Sequence, residues 1–206
     1  MAVEIQQIDL EHPHRRLLQH AARIVADGGL IVYPTDTIYG LGADLFNKEA
    51  MARIFKLKKT SHQKLLSFIC PDLAAVAAWA HVPTSVYRVL RRVTPGKYTF
   101  ILRASKEVPK VLLQKRPTVG VRIPDSAVAL GLVRELGRPL LSTSVPQGED
   151  DFYTDPQAIA ETFRHDIDLV LDAGPLANLP STIIDLSGPV PTVIRRGAGD
   201  LEPFGM

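Results

Sequence analysis

Leu30-Ile31-Val32-Tyr33-Pro34-Thr35-Asp36-Thr37-Ile38-Tyr39-Gly40-Leu41-Gly42 is the stretch from which the rest of the chain is best read. The apolar run 30–32 follows Gly28-Gly29 and reads as a buried strand. Pro34 has no N–H to give a sheet, so regular pairing weakens there. Two threonine hydroxyls, a carboxylate and a tyrosine follow, and then two glycines that let the backbone approach something closely. Hydroxyls and bare backbone at the carboxyl end of a strand are the raw material of a small-ligand site. The plainer reading is a strand-to-helix turn with satisfied hydroxyls, and this segment alone leaves both open.

Upstream, residues 3–8 alternate loosely as a first strand. Residues 14–27 read as a helix with Pro13 in its first turn, Gly28 as its stop and Leu17, Leu18, Ala21, Ala22 and Val25 at core spacing. Downstream, Asn47 is the expected N-cap of a helix to Lys58, with Ala50, Met51, Ile54 and Phe55 inward and Arg53, Lys56 and Lys59 outward. Strands are expected over 65–70, 98–102, 118–123, 140–144, 169–171, 182–185 and 192–195. Helices are expected over 73–79, 85–93, 128–136 (stopped by Gly137) and 158–163, and 146–154 reads as an acidic surface loop. This interleaving predicts an α/β fold with a mixed sheet, without fixing the strand order.

A chain of 206 residues, 46% hydrophobic, buries a sizeable core as a single domain over 1–206. The one cysteine, Cys70 in Leu66-Ser67-Phe68-Ile69-Cys70, excludes an intramolecular disulfide and reads as a small buried hydrophobe. The N-terminus resembles no signal peptide and no stretch reaches membrane-spanning length, so a soluble cytoplasmic protein without a membrane partner is expected. The net charge of +2 hides a segregation. Residues 1–125 carry 19 Lys/Arg against 10 Asp/Glu, while 126–206 carry 5 against 12. Either a positive field attracts a polyanion, or the two parts pack together and mix their charges.

Walker A, C-x-x-C, H-E-x-x-H and G-x-S-x-G motifs are absent, and Gly40-Leu41-Gly42-Ala43-Asp44-Leu45 lacks the third glycine of a dinucleotide loop. The histidines show no metal-ligand spacing; His12, His14, His20 and His81 are expected on solvated surfaces. What recurs is hydroxyls at strand ends with cations beside them. The opening motif, Ser142-Thr143-Ser144 and Ser181-Thr182 supply the hydroxyls; Lys58, Lys59, Lys64, Arg122 and Arg195-Arg196 supply the charge. Together they describe a pocket for a small anionic molecule, working by positioning and charge neutralisation as phosphoryl and adenylyl transfer do.

Pro34–Gly42 resembles the signature of the YrdC-like family. Pro95-Gly96-Lys97-Tyr98-Thr99, Thr118-Val119-Gly120-Val121-Arg122, Ser142–Ser144, Ser181-Thr182-Ile183-Ile184-Asp185 and Ile194-Arg195-Arg196-Gly197 follow in that family's order, with detail closest to its YciO-type branch. The resemblance implies one α/β domain with a twisted mixed sheet, flanking helices and a large basic concave surface. It implies threonylcarbamoyl-adenylate synthesis from threonine, bicarbonate and ATP for tRNA modification, with Mg2+ accompanying the nucleotide and no protein-bound metal. By the same resemblance Thr35, Arg122, Ser144 and Ser181 hold threonine, and Lys58, Lys64, Thr118 and Arg195 meet ATP or its phosphates. Lys58 and Arg122 are the candidate catalytic residues. Two departures stand out: the K-x-R motif reads Lys58-Lys59-Thr60, and S-x-N reads Ser144-Val145-Pro146. A lost charge-assisted hydrogen bond is worth roughly 1.5–3 kcal/mol, enough to slow such a step about ten- to a hundredfold. The alternative is a non-catalytic protein that binds double-stranded RNA, tRNA or nucleotide.

Overall fold

The computed structural model describes residues 3–57, 66–113, 117–147 and 151–205. Strands β1 (Glu4–Gln7), β2 (Ile31–Tyr33), β3 (Gly40–Asp44), β4 (Ser67–Ile69), β5 (Tyr98–Arg103), β6 (Thr118–Arg122), β7 (Leu140–Ser144), β8 (Leu169–Asp172), β9 (Thr182–Asp185) and β10 (Thr192–Arg195) form a single sheet. Their order is β1-β8-β2-β3-β7-β4-β6-β5-β9-β10. Pairs β1/β8, β2/β8, β4/β6 and β5/β9 are parallel and the others antiparallel, so the sheet is mixed. Helices α1 (Arg15–Ala26), α2 (Lys48–Leu57), α3 (Leu73–Trp79), α4 (Thr84–Val93), α5 (Lys110–Leu113), α6 (Ala127–Leu136) and α7 (Pro156–Thr162) flank it. This is the mixed single-domain α/β architecture expected from the interleaving.

Local chemistry explains most element ends. Asn47 Oδ1 accepts the N–H of Ala50 at 2.9 Å and starts α2, as its sequence position predicts. Ser126 caps α6, and Gly137 closes it in the left-handed region at φ 71°. His14 caps α1 with its ring nitrogen, so Pro13 precedes the cap rather than occupying the first turn. Arg53, expected outward, is half-buried. It donates to Asp166 O and to Asp168 Oδ2, each at 2.8 Å, and so ties α2 to the start of β8.

Strand alternation sorts the core. One face carries Val32, Leu41, Leu141, Phe68, Val121 and Phe100 against α2, α3, α4 and α7. The other carries Ile31, Tyr33, Leu140, Ile69 and Leu169 against α1 and α6. Because early and late strands interleave, the two charge-segregated parts of the sequence also interleave. Arg15–Glu135, Arg53–Asp168 and Asp44–Arg138 each join one part to the other, which favours mixed charge over segregated fields. Cys70 is wholly buried, and burial pushes its thiol up to about 12. Among the described residues no helix is long and apolar enough to cross a membrane.

Candidate functional site

The opening motif is a hairpin, not a strand-to-helix turn. Gly40–Asp44 pairs antiparallel with β2 (Tyr33 opposite Gly40, Ile31 opposite Gly42) and on its far edge with β7. The partner the glycines admit is Tyr33 itself. A Cβ at Gly40 would sit 2.8 Å from Tyr33 Cζ, and one at Gly42 would sit 2.7 Å from Leu140 Cδ2, so any side chain there collides with the core. With its ring laid across both glycines, Tyr33 brings its Oη to 2.6 Å from Ser142 Oγ. Burial pushes this phenol up to about 12.

Between the hairpin strands, Thr35 Oγ1 accepts the N–H of Thr37 at 3.2 Å and donates to Ile38 O at 2.7 Å. This hydroxyl thus shapes the turn. Arg122, at the end of β6, reaches into the same turn: Nη2 donates to Asp36 Oδ1 and to Thr37 Oγ1 (2.9 Å) and approaches Thr35 Oγ1 at 3.5 Å. The Arg122 and Asp36 side chains are only 8% and 5% exposed. The other carboxylate oxygen accepts the N–H of Asp125 at 3.1 Å, just ahead of α6. Arg122 Nε has no hydrogen-bond partner.

Register places the remaining positions. Gly42, Ser142, Ser67 and Gly120 are paired in succession across β3, β7, β4 and β6. Four adjacent strands therefore share one row of side chains no larger than a hydroxymethyl, covered at its β3 end by the Tyr33 ring and Leu140. Ser144, Thr118 and Arg122 lie on this face by alternation from Ser142 and Gly120. Farther across, Thr99 pairs with Ile183, and Ile183 with Arg195. A bulge between Val193 and Arg195 re-aims the end of β10. Arg195 Nη2 and Nε donate to Ser181 O at 2.8 and 3.2 Å, and Ser181 Oγ lies 2.9 Å from Thr99 Oγ1. The Phe152 ring centroid is 5.9 Å from Arg195 Cζ.

Of the positions predicted from sequence, the structure brings together Thr35 with Arg122 and Ser181 with Arg195, and puts Ser144 and Thr118 on the face between. Lys58 and Lys64, together with Lys59 and Thr60, lie outside the described residues. Asp36, Thr37, Thr99 and Phe152 were not singled out as contact residues. Asp36 and Thr99 stood inside quoted motifs, which was the available signal; nothing in the sequence pointed to Phe152. A cavity of about 530 Å³ lies elsewhere, bordered by Asp9, Asp155, Asp172 and Gly174, and contains none of these residues. Its acids are already engaged: Asp155 caps α7, and Asp172 accepts from Gln157 and Gly174.

Fold and face together define a single-domain α/β protein with hydroxyls and two arginines arrayed over one side of a mixed sheet. The family model described as telomere recombination, covering the Sua5, YciO and YrdC proteins, matches residues 23–197, and the chain belongs to that family. It is 40% identical over 196 residues to the uncharacterised protein YciO of Escherichia coli K12, spanning 94% of this chain and 95% of that one. The crystal structure of E. coli YciO superposes with a TM-score of 0.94 over 98% of this chain and 99% of that chain, at 39% identity. The threonylcarbamoyl-AMP synthase of Chromobacterium violaceum is 32% identical over 175 residues, covering 84% of this chain and 91% of that protein. The structure of Pyrococcus abyssi Sua5 complexed with L-threonine matches with a TM-score of 0.88 and 28% identity, covering 98% of this chain and 59% of that one. The chain is thus related to threonylcarbamoyl-AMP synthases, with greater identity to YciO.

Proposed function

We propose that the protein is a threonylcarbamoyl-AMP synthase whose phosphate end is weakened relative to its synthase relatives. The observation that carries this reading is the pairing of two arginines with hydroxyls on one face: Arg122 with Thr35, and Arg195 with Ser181. Threonine would lie with its carboxylate at Arg122, and Ser144 and Ser181 would supply further polar contacts. ATP would meet Thr118 and Arg195, with Lys58 and Lys64 as additional phosphate contacts and Mg2+ arriving on the triphosphate. The threonine amine takes up bicarbonate with loss of water. The resulting carbamate oxygen attacks the α-phosphorus of ATP, and pyrophosphate leaves. Among the described residues of this face none is suited to strong proton abstraction, so the protein's contribution is to hold two anions together and offset their charge.

The test is incubation with ATP, threonine and bicarbonate, following pyrophosphate and the adenylate. Product from the wild type that disappears in Arg122→Ala supports the reading; wild type as silent as that control at high enzyme removes it. A second reading, non-catalytic binding of double-stranded RNA, tRNA or nucleotide, draws on Pro146. This residue stands where the family motif has an asparagine, and it pairs with Phe152 in an isolated bridge. It predicts affinity for duplex RNA that falls steeply with salt. Thr60→Arg combined with Pro146→Asn, alongside both single variants, separates the readings, because a rise in synthase activity belongs to the first alone.

A further inference from the structure

We infer that Asp36 is a positioning residue for amino-acid binding: it holds the Arg122 guanidinium through Nη2 and leaves the buried Nε–H for the substrate carboxylate. The inference rests on the amino-acid-binding reading above and concerns a residue which that reading gives no part.

Three observations carry it. First, Arg122 is 7% exposed and its Nε has no partner. Folded proteins rarely leave a buried donor unsatisfied, and each exception calls for an explanation, a catalytic or binding role among them. Second, the rest of the guanidinium is held from one side. Nη2 is shared among Asp36, Thr37 and Thr35, all within one turn, so the ion cannot swivel without breaking several contacts. Third, Asp36 is itself fixed, because its second oxygen takes the Asp125 N–H at the entry to α6. Its carboxylate therefore links the hairpin turn, the end of β6 and the start of a helix. It also supplies the negative charge that lets a cation remain buried while no substrate is present.

A side chain that only stabilised the fold would leave the guanidinium's hydrogen-bonding complete. Here the charge is balanced and one donor is held back. Nη2 is already committed to Asp36 and Thr37, so on that edge of the guanidinium Nε is the donor left, offering a carboxylate one charge-assisted hydrogen bond.

The experiment measures threonine and ATP separately on wild type, Asp36→Asn and Asp36→Glu by calorimetry, with thermal melts and 15N spectra of the arginine Nε–H groups. In the wild type, threonine is expected to shift one Nε–H downfield and slow its exchange with water. Asp36→Asn is expected to weaken threonine binding about 10- to 100-fold with the KM for threonine rising in step, to abolish the Nε shift, and to leave ATP affinity unchanged. Asp36→Glu keeps the charge and is expected to recover part of the loss, and it also serves if the asparagine variant does not fold. Unchanged threonine affinity in folded Asp36→Asn overturns the inference, as does unchanged affinity in folded Asp36→Glu with the Nε–H shift abolished. Tighter binding overturns it too, by showing that Asp36 competes with the substrate, and parallel losses for threonine and ATP that follow the melting temperature reduce Asp36 to a fold residue. Wild type that binds no threonine defeats the amino-acid-binding reading itself; wild type that binds and an Asp36→Asn variant that binds equally defeat only the role of Asp36.

Discussion

Arg122 and Arg195 occupy the same face of the sheet in opposite ways. Arg122 sits in the middle, on β6 between β4 and β5, buried, charge-paired with Asp36 and locked by a turn from the other end of the sequence. Arg195 ends β10, a strand with a single neighbour. It is half-buried, donates to the carbonyl and hydroxyl of Ser181, and packs against an aromatic ring. One is a rigid, desolvated receptor whose charge is already balanced. The other keeps its charge close to water, where it can adapt to a larger anion and where salt screens it. If amino acid and nucleotide divide between them as proposed, the amino-acid end is pre-organised and the nucleotide end is adjustable. By the family resemblance, the two motif departures, Thr60 and Pro146, fall in motifs expected to meet the nucleotide.

The largest effect expected from breaking this contrast is on stability. Arg122→Ala leaves a buried carboxylate without its counter-ion and should cost about 3–5 kcal/mol in urea unfolding, whereas Arg195→Ala, which removes the hydrogen bonds to Ser181 O, should cost less. Equal losses from both variants would erase the distinction.

Alkaline titration probes the buried side through Tyr33. Burial pushes the Tyr33 phenol up to about 12, against an ordinary value of 10.0. The unfolded chain ionises this phenol first. Its contribution is therefore complete below about pH 10 and is lost as pH rises towards 12, a difference of about 2–3 kcal/mol. Tyr33→Phe should flatten the decline in urea midpoint over that window while costing about 1 kcal/mol at neutral pH for the bond to Ser142.

At the open side, Arg195→Ala should weaken ATP binding by about 1.5–3 kcal/mol and reduce its salt dependence, with threonine binding intact. The smallest effect expected is that of Phe152→Ala. Removing a ring from a partly exposed guanidinium is worth about 0.5–1 kcal/mol, read as a modest rise in the ATP dissociation constant. A larger loss would make Phe152 part of the nucleotide's own binding surface.

How much of this was legible beforehand follows from distance along the chain. The Leu30–Val32 strand, the Asn47 cap and the Gly137 stop are local signals, and each appears in the structure at or next to the expected residue. Gly40–Asp44 was missed as a strand because its sequence, Gly-Leu-Gly-Ala-Asp, has almost no β-forming residues. What makes it one is the Tyr33 ring lying across its glycines, a tertiary fact. Arg122 stood out as a cation at a strand end, but its dependence on Asp36 spans 86 residues, and no local pattern connects the two. Arg53 keeps a mostly outward position, its side chain 38% exposed, but its pairing with Asp168, 115 residues away, left no local mark.

The strand order carries a consequence for the making of the protein. β8 inserts between β1 and β2, β7 between β3 and β4, and β10 closes the far edge. A nascent chain that has emerged only as far as β6 holds strands whose partners have not yet been synthesised. Unpaired edges of that kind invite wrong pairing with other chains. The face that carries both the Thr35–Arg122 pair and the Ser181–Arg195 pair is incomplete until β10 has been added to β9. The residues of the proposed site therefore come together only after β9 and β10 have been synthesised.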